Sequence, residues 1–169
     1  MKQFILFLTV ATVVSSCRKT TNIYGVDCSA NMTKAIQSET DSIARYLEIR
    51  NANGANIQAV LHPNGFYYVI ENEGEGVDRP QTCSAVSVDY KGRRFGGPSI
   101  EGTVFDQAQD ATFSLYQTIS GWQQGLPLIG KGGKISLYIP PSLAYGATGT
   151  STIKPNTYLQ FEITLNSFN

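Results

Sequence analysis

The stretch Ile119-Ser-Gly-Trp-Gln-Gln-Gly-Leu-Pro-Leu-Ile-Gly-Lys-Gly-Gly-Lys-Ile-Ser-Leu-Tyr-Ile-Pro-Pro-Ser-Leu-Ala-Tyr-Gly146 decides the fold. Ser120 and Gln123 stand at capping-box spacing, which predicts a helix that begins at Ser120 and carries Trp122, the single tryptophan, in its first turn. Pro127 disfavours helical geometry at Leu126, so this helix is expected to be brief. A glycine-rich turn follows. From Lys134 onward, apolar Ile135, Leu137 and Ile139 alternate with Lys134, Ser136 and Tyr138, the period of a half-buried strand. Pro140-Pro141 ends that strand, because neither residue can donate to a ladder. The loop beyond it holds Tyr145. A tryptophan on one helical turn and a tyrosine after the next strand could line one apolar pocket.

Working outward, residues 158–165 alternate cleanly, with Leu159, Phe161, Ile163 and Leu165 against Gln160, Glu162 and Thr164. Upstream, residues 84–92 place Val86, Val88 and Tyr90 on one side and Ser87 and Asp89 on the other. Phe66 to Glu71 reads as the first clear strand, preceded by the turn His62-Pro63-Asn64-Gly65. Residues 38–50 read as an amphipathic helix ended by Asn51 to Gly54, with Ile36, Ile43, Tyr46 and Leu47 on one face and Glu39, Arg45 and Glu48 elsewhere. That face has to be covered, by the domain or by a second copy. Several alternating strands with one short central helix make the fold class α+β.

Three motifs now stand in order: Gly121-Trp122-x-x-Gly125-Leu126, Gly132-x-Lys134 and Ile139-Pro140-Pro141-x-Leu143-Ala144-Tyr145-Gly146. With Val86-x-Val88-x-Tyr90-x-Gly92 and the pair Phe105-Asp106, this set resembles the FKBP immunophilins, which are peptidyl-prolyl isomerases. The resemblance covers about residues 62–169. It implies an antiparallel β-sheet wrapped around the short central helix, with an N-terminal helical extension. It also implies a catalytic set of Tyr90, Phe105, Asp106, Trp122 and Tyr145, with Phe113, Ile119, Ile153 and Phe161 binding substrate. Trp122 would be the floor under a proline ring, and Tyr90, Phe105 and Phe161 the walls. The Ile119 N–H and the Tyr145 hydroxyl would bond substrate carbonyls, and Asp106 would orient Tyr90. Clients would be proline-containing polypeptides, and macrolide inhibitors are candidate ligands. The chain departs from the family between Asp106 and Phe113. There Gln107 to Ala111 forms a compressed connection, Ala111 replaces a pocket aromatic, and the arginine that often supports the aspartate has no counterpart. Thr112 to Leu115 is expected to supply the next core strand. Arg93 to Gly102 is expected to be an irregular loop, longer than the family's hairpin turn.

Other chemistries lack their residues. His62 is the only histidine and sits beside a proline in a turn, so neither a Ser-His-Asp nor a Cys-His arrangement has a base in a helpful context. No cysteines or histidines stand at zinc-ligand spacing, and no metal or cofactor is expected. Asp106 is not one of a close carboxylate pair, which removes glycoside hydrolysis. Glu73-Gly74-Glu75-Gly76 is a turn and not a phosphate loop, since its acidic residues repel phosphate and no helix follows. A formal net charge of +0 without a basic stripe argues against nucleic acid. A non-enzymatic holding or docking module on the same fold is the competing reading.

The first residues resemble a bacterial lipoprotein signal. Lys2 precedes the apolar run Phe4 to Val14, which is short for a membrane span, and Ser15-Ser16 lead into Cys17. The resemblance implies cleavage before Cys17 and acylation of it, giving a protein held in the cell envelope by lipid and facing the periplasm. The expected division is signal peptide 1–16, tether and helix 17–61, and isomerase domain 62–169. Cys28 and Cys83 either pair, as an oxidising compartment permits, or are two unrelated thiols.

Overall fold

A computed structural model describes residues 33–96 and 102–169. The signal segment, Cys17, most of the tether, Cys28 and the middle of the Arg93 to Gly102 connection lie outside the described residues. Helix α1 spans Gln37–Ala52. Strands β1 (Val60–Leu61), β2 (Tyr67–Asn72), β3 (Ala85–Phe95) and β4 (Thr103–Ser114) follow. Helix α2 (Ser120–Gly125) comes next, then β5 (Lys134–Ile139) and β6 (Tyr158–Phe168). The six strands form one antiparallel sheet in the order β1-β2-β5-β6-β3-β4. α2 lies on one face of this sheet, so the expected α+β architecture is what the chain adopts. No helix among the described residues is long and apolar enough to cross a membrane.

The Gly-Trp-x-x-Gly motif has a packing cause. A Cβ on Gly121 would come 2.6 Å from Ile139 Cδ1, and one on Gly125 would come 2.7 Å from Leu137 Cδ1. Two glycines one helical turn apart let α2 settle directly on β5, with Trp122 turned to the side. The inner core beneath it includes Leu126, Ile135, Leu137, Ile139, Leu159, Ile163 and Leu165, each fully buried. Burying each such side chain stabilises the fold by about 1.5–3 kcal/mol over leaving it exposed.

Two details of α2 differ from expectation. Its N-cap is Ile119 and no side chain caps it; Gln123 instead donates through Nε2 to the carbonyls of Tyr116 (3.0 Å) and Thr118 (2.7 Å). The glutamine is buried among acceptors, so satisfying them outweighs reaching the cap N–H. Leu126 also stays helical, at φ −63° and ψ −34°, because the chain tightens into a 3-10 turn over Leu126–Leu128 that accepts Pro127 near its start.

The strand at 134–139 is not half-buried. Ser136 and Tyr138, expected on an open face, are 6% and 3% exposed. α1 covers that face. Ile43 and Leu47 pack with Phe95 and Tyr138, and Tyr46, Tyr67 and Tyr158 close the margins. The amphipathic face of α1 is thus covered by its own sheet. Two apolar residues stay exposed, Ile36 at the N-cap (59%) and Ile49 within the helix (48%).

The strand beginning at Phe66 starts one residue later, at Tyr67, while Phe66 is buried. His62 is no bare surface residue, since its ring stacks on Phe66 with centroids 4.3 Å apart. β3 continues through Arg93 and Arg94 to Phe95, where a loop was expected, because these residues pair with both β4 and β6. Cys83, just ahead of β3, is disulfide-bonded.

Candidate active site

The connection from Phe105 to Phe113 is neither a loop nor a separate strand. It is one strand, β4, paired with β3 throughout and broken by two register shifts. Gly92 pairs with Asp106 and Arg93 with Val104, which leaves Phe105 as an extra residue. In a regular strand, adjacent side chains point to opposite faces, so Phe105 and Asp106 could not both reach one cleft. The bulge removes that constraint and re-aims Phe105. Gly92 makes room for it, since a Cβ there would come 2.7 Å from Phe105 Cζ and 2.9 Å from Phe161 Cε1. The second shift lies between the pairs Val88–Ala111 and Tyr90–Ala108, where Asp110 takes φ +50°. Its N–H donates to Asp89 Oδ1 at 2.8 Å, and Asn166 Nδ2 donates to the same oxygen at 2.8 Å. A left-handed aspartate thereby takes up the compression.

Trp122, 4% exposed, stands at the centre of an edge-to-face set of rings. Its centroid lies 5.4 Å from Tyr90, 5.6 Å from Phe113 and 5.2 Å from Phe161, at interplanar angles of 79°, 88° and 86°. Phe105 packs on Phe161 at 5.7 Å and 84°. Such pairs prefer this geometry, each worth about 0.5–1.5 kcal/mol beyond area burial. The rings surround a cleft of about 220 Å³, lined also by Asp106, Gln117, Thr118, Ile119 and Tyr145. That is below the roughly 300–1,000 Å³ of pockets enclosing drug-sized ligands, and it suits one small ring.

Polar groups gather at the rim. Tyr90 donates its hydroxyl proton to Asp106 Oδ2 at 2.7 Å. Burial first, then the hydrogen bond to Asp106 and the charges around it, push Tyr90 up to about 12. Tyr145, 37% exposed, is also raised, by burial and by Asp106. Both hydroxyls are therefore neutral donors at physiological pH. The Tyr145 hydroxyl and the Ile119 N–H have no hydrogen-bond partner among the described residues, so both can serve a ligand.

Eight of the nine residues expected at the site line this cleft. Ile153 does not. It is 3% exposed, in the inner core, and its backbone exchanges bonds with Thr150, which tucks the side chain inward and anchors the loop. Ala111 pairs with Val88 and is not in the lining, so the pocket aromatic it replaces is not restored there. Gln117 and Thr118 do line it and escaped the sequence reading; their only signal is their place ahead of Ile119. A larger groove of about 380 Å³ is lined mostly by polar groups such as Asp89, Lys91, Gln109 and Glu162, with Tyr90 its one aromatic. Its Lys134 is already paired with Glu71 at 2.6 Å.

Residues 76–166 match the family model described as FKBP-type peptidyl-prolyl cis-trans isomerase. The chain is 33% identical over 137 residues to the FKBP-type peptidyl-prolyl cis-trans isomerase FkpA of Escherichia coli K12, covering 81% of this chain and 50% of that protein. It is 39% identical over 107 residues to the probable FkpA of Neisseria meningitidis serogroup B, covering 60% of this chain and 37% of that one. The chain spans about half the length, or less, of these relatives. Among solved structures, FkpA from Escherichia coli matches with a TM-score of 0.63 at 34% identity, covering 78% of this chain and 61% of that one. A peptidyl-prolyl cis-trans isomerase from Pseudomonas syringae matches with a TM-score of 0.61 at 31% identity, covering 81% and 98%.

Proposed function

This chain belongs to the family of FKBP-type peptidyl-prolyl cis-trans isomerases, and from that premise we propose that it catalyses cis–trans exchange at X-Pro bonds of polypeptide clients. The observation that carries the reading is the cleft itself: an aromatic floor and walls, with two neutral tyrosine hydroxyls and an unpaired N–H at its mouth.

Rotation about a peptide bond meets a barrier of about 18–20 kcal/mol, and uncatalysed X-Pro exchange takes tens to hundreds of seconds. No bond needs to be made or broken. In the twisted transition state the amide loses conjugation, so an apolar, dry setting disfavours it less than the polar planar amide. Trp122 carries the proline ring, and Tyr90, Phe105 and Phe161 hold it from the sides. The Ile119 N–H and Tyr145 hydroxyl donate to client carbonyls, while Phe113 and Ile119 complete the apolar contact. Asp106 accepts from Tyr90 and orients it; it takes no proton. Lowering the barrier by about 5.5 kcal/mol through such selective binding gives a ~10⁴-fold acceleration.

The same reading places residues 62–169 as the isomerase unit, with a signal peptide over 1–16, acylation at Cys17 and a tether and helix over 17–61. The protein then serves exported polypeptides from a lipid anchor in the cell envelope, on the periplasmic side, and macrolides that present a proline-like ring are its candidate inhibitors. The short apolar run ending in small residues directly before Cys17 supports the anchor, and mass analysis of the mature N-terminus tests it. The enzymatic reading is tested by following an X-Pro peptide by exchange NMR. Acceleration proportional to protein concentration is expected. A rate at background, at protein levels that bind an unfolded client, overturns the enzyme and leaves a holding module.

A further inference from the structure

Residues 33–40 precede the span that matches the family model, residues 76–166, yet they bond both to α2, which carries Trp122, and to the loop that carries Tyr145. On the floor side, Gln124 of α2 donates through Nε2 to the Thr33 carbonyl at 3.0 Å and accepts from Asn64 Nδ2 at 2.7 Å. Ala35 N–H donates to the Asn64 carbonyl at 2.8 Å, and Thr40 Oγ1 to the Gly65 carbonyl at 2.9 Å. On the loop side, one carboxylate oxygen of Glu39 accepts from Ser142 N–H at 3.1 Å and from Ser142 Oγ at 2.5 Å.

Ser142 sits in the 3-10 turn Pro141–Leu143, the foot of the loop that carries Tyr145. Ala144 and Gly146, on either side of Tyr145, both donate to the Pro141 carbonyl, at 2.9 and 2.8 Å. The Tyr145 hydroxyl has no partner among the described residues, so its position follows the loop. Glu39 in turn is held by α1, whose Ile43 and Leu47 are buried on the outer face of the sheet. A rigid helix thus braces the loop through one carboxylate. Hydrogen bonds to an ionised acceptor are about twice as strong as neutral ones.

We infer that Glu39 is a positioning residue for the isomerase site, holding the Pro141–Leu143 turn so that Tyr145 faces the bound X-Pro amide. This rests on the isomerase reading above. Glu39→Ala and Tyr145→Phe are each expected to lower kcat/KM about three- to fivefold, by loss of one useful hydrogen bond. Glu39→Gln keeps an acceptor oxygen and is expected to stay within about twofold of the unsubstituted protein. In the Tyr145→Phe background, Glu39→Ala is expected to add nothing, because the group it positions is gone. An unchanged kcat/KM in Glu39→Ala, or a loss that adds in full to that of Tyr145→Phe, overturns the proposal. Amide hydrogen exchange supplies a readout independent of turnover. Glu39→Ala should speed exchange at Ser142 to Gly146 and leave β5 and β6 unchanged. If the chain proves not to accelerate X-Pro exchange, that pattern still establishes the brace, and its absence removes it.

Discussion

Two groups of aromatic rings sit on opposite faces of one sheet. On the inner face Tyr90, Phe105, Phe113, Trp122 and Phe161 meet edge to face. On the outer face Tyr46, Phe95, Tyr138 and Tyr158 crowd together, the first two with centroids only 4.4 Å apart. Ring content and packing distances are similar. What differs is the cover. α1 lays Ile43 and Leu47 over the outer rings, and that group is core. The inner rings, placed by the six-residue α2 and by the bulge at Phe105, pack on one another and line an open cleft of about 220 Å³. An aromatic cluster becomes a site when the element that would complete its packing is too short to do so.

The largest expected effect comes from emptying the inner group. Trp122→Ala should lower kcat/KM for an X-Pro peptide more than about 100-fold, and the loss of a buried ring should also cost about 3–5 kcal/mol of stability. Trp122→Leu separates the two: it should melt cooperatively and still retain under about a tenth of the activity, since an aliphatic side chain gives the ring no flat floor. The matching change outside, Tyr138→Ala, should cost a similar amount, about 3–5 kcal/mol in urea melts, while activity per folded molecule stays within about twofold. Equal losses of activity from both would erase the distinction between the faces.

Asp106→Ala should reduce kcat/KM about tenfold by removing the acceptor that holds Tyr90. Ultraviolet titration should show Tyr90 ionising below its present value of about 12, with burial still holding it above the ordinary 10.0. The smallest effect is alkaline. Burial pushes Tyr138, like Tyr90, up to about 12, against 10.0 for a free tyrosine. Between these values the unfolded chain loses its tyrosine protons first. The stabilisation is therefore complete below 10.0 and is lost as pH rises towards about 12. Tyr138→Phe should make that decline shallower, and Tyr90→Phe less so, because Tyr90 is the more exposed.

Much of the inner face was legible from local pattern. Ser120 marks the start of the short helix, Pro140-Pro141 end the strand after it, and the alternation of Leu159 to Leu165 places Phe161. The outer face was not legible, because burial of Tyr138 depends on α1, nearly a hundred residues earlier, and Ser136 meets Glu71 of β2. Register was hidden for the same reason. Nothing in Gln107 to Ala111 says that one strand absorbs the compression through Asp110, since the partners that hold it, Asp89 and Asn166, come from β3 and β6. Ile153 is buried in the inner core and does not line the cleft, and the sequence could not show this, because an apolar residue on a loop can turn either way. Gln123 looked like a capping residue because spacing alone does not reveal the two part-buried carbonyls competing for it.

Trp122 is the only tryptophan, so its emission reports on the inner face alone. Titrating the protein with a proline-containing peptide, against the same peptide with alanine in place of proline, tests most directly whether that face is open to a proline ring. The account predicts a saturable change in emission for the proline peptide, with a midpoint that matches KM for isomerisation, and none for the control. Catalysed X-Pro exchange with an unchanged Trp122 emission would contradict it, because the proline ring would then be held somewhere else.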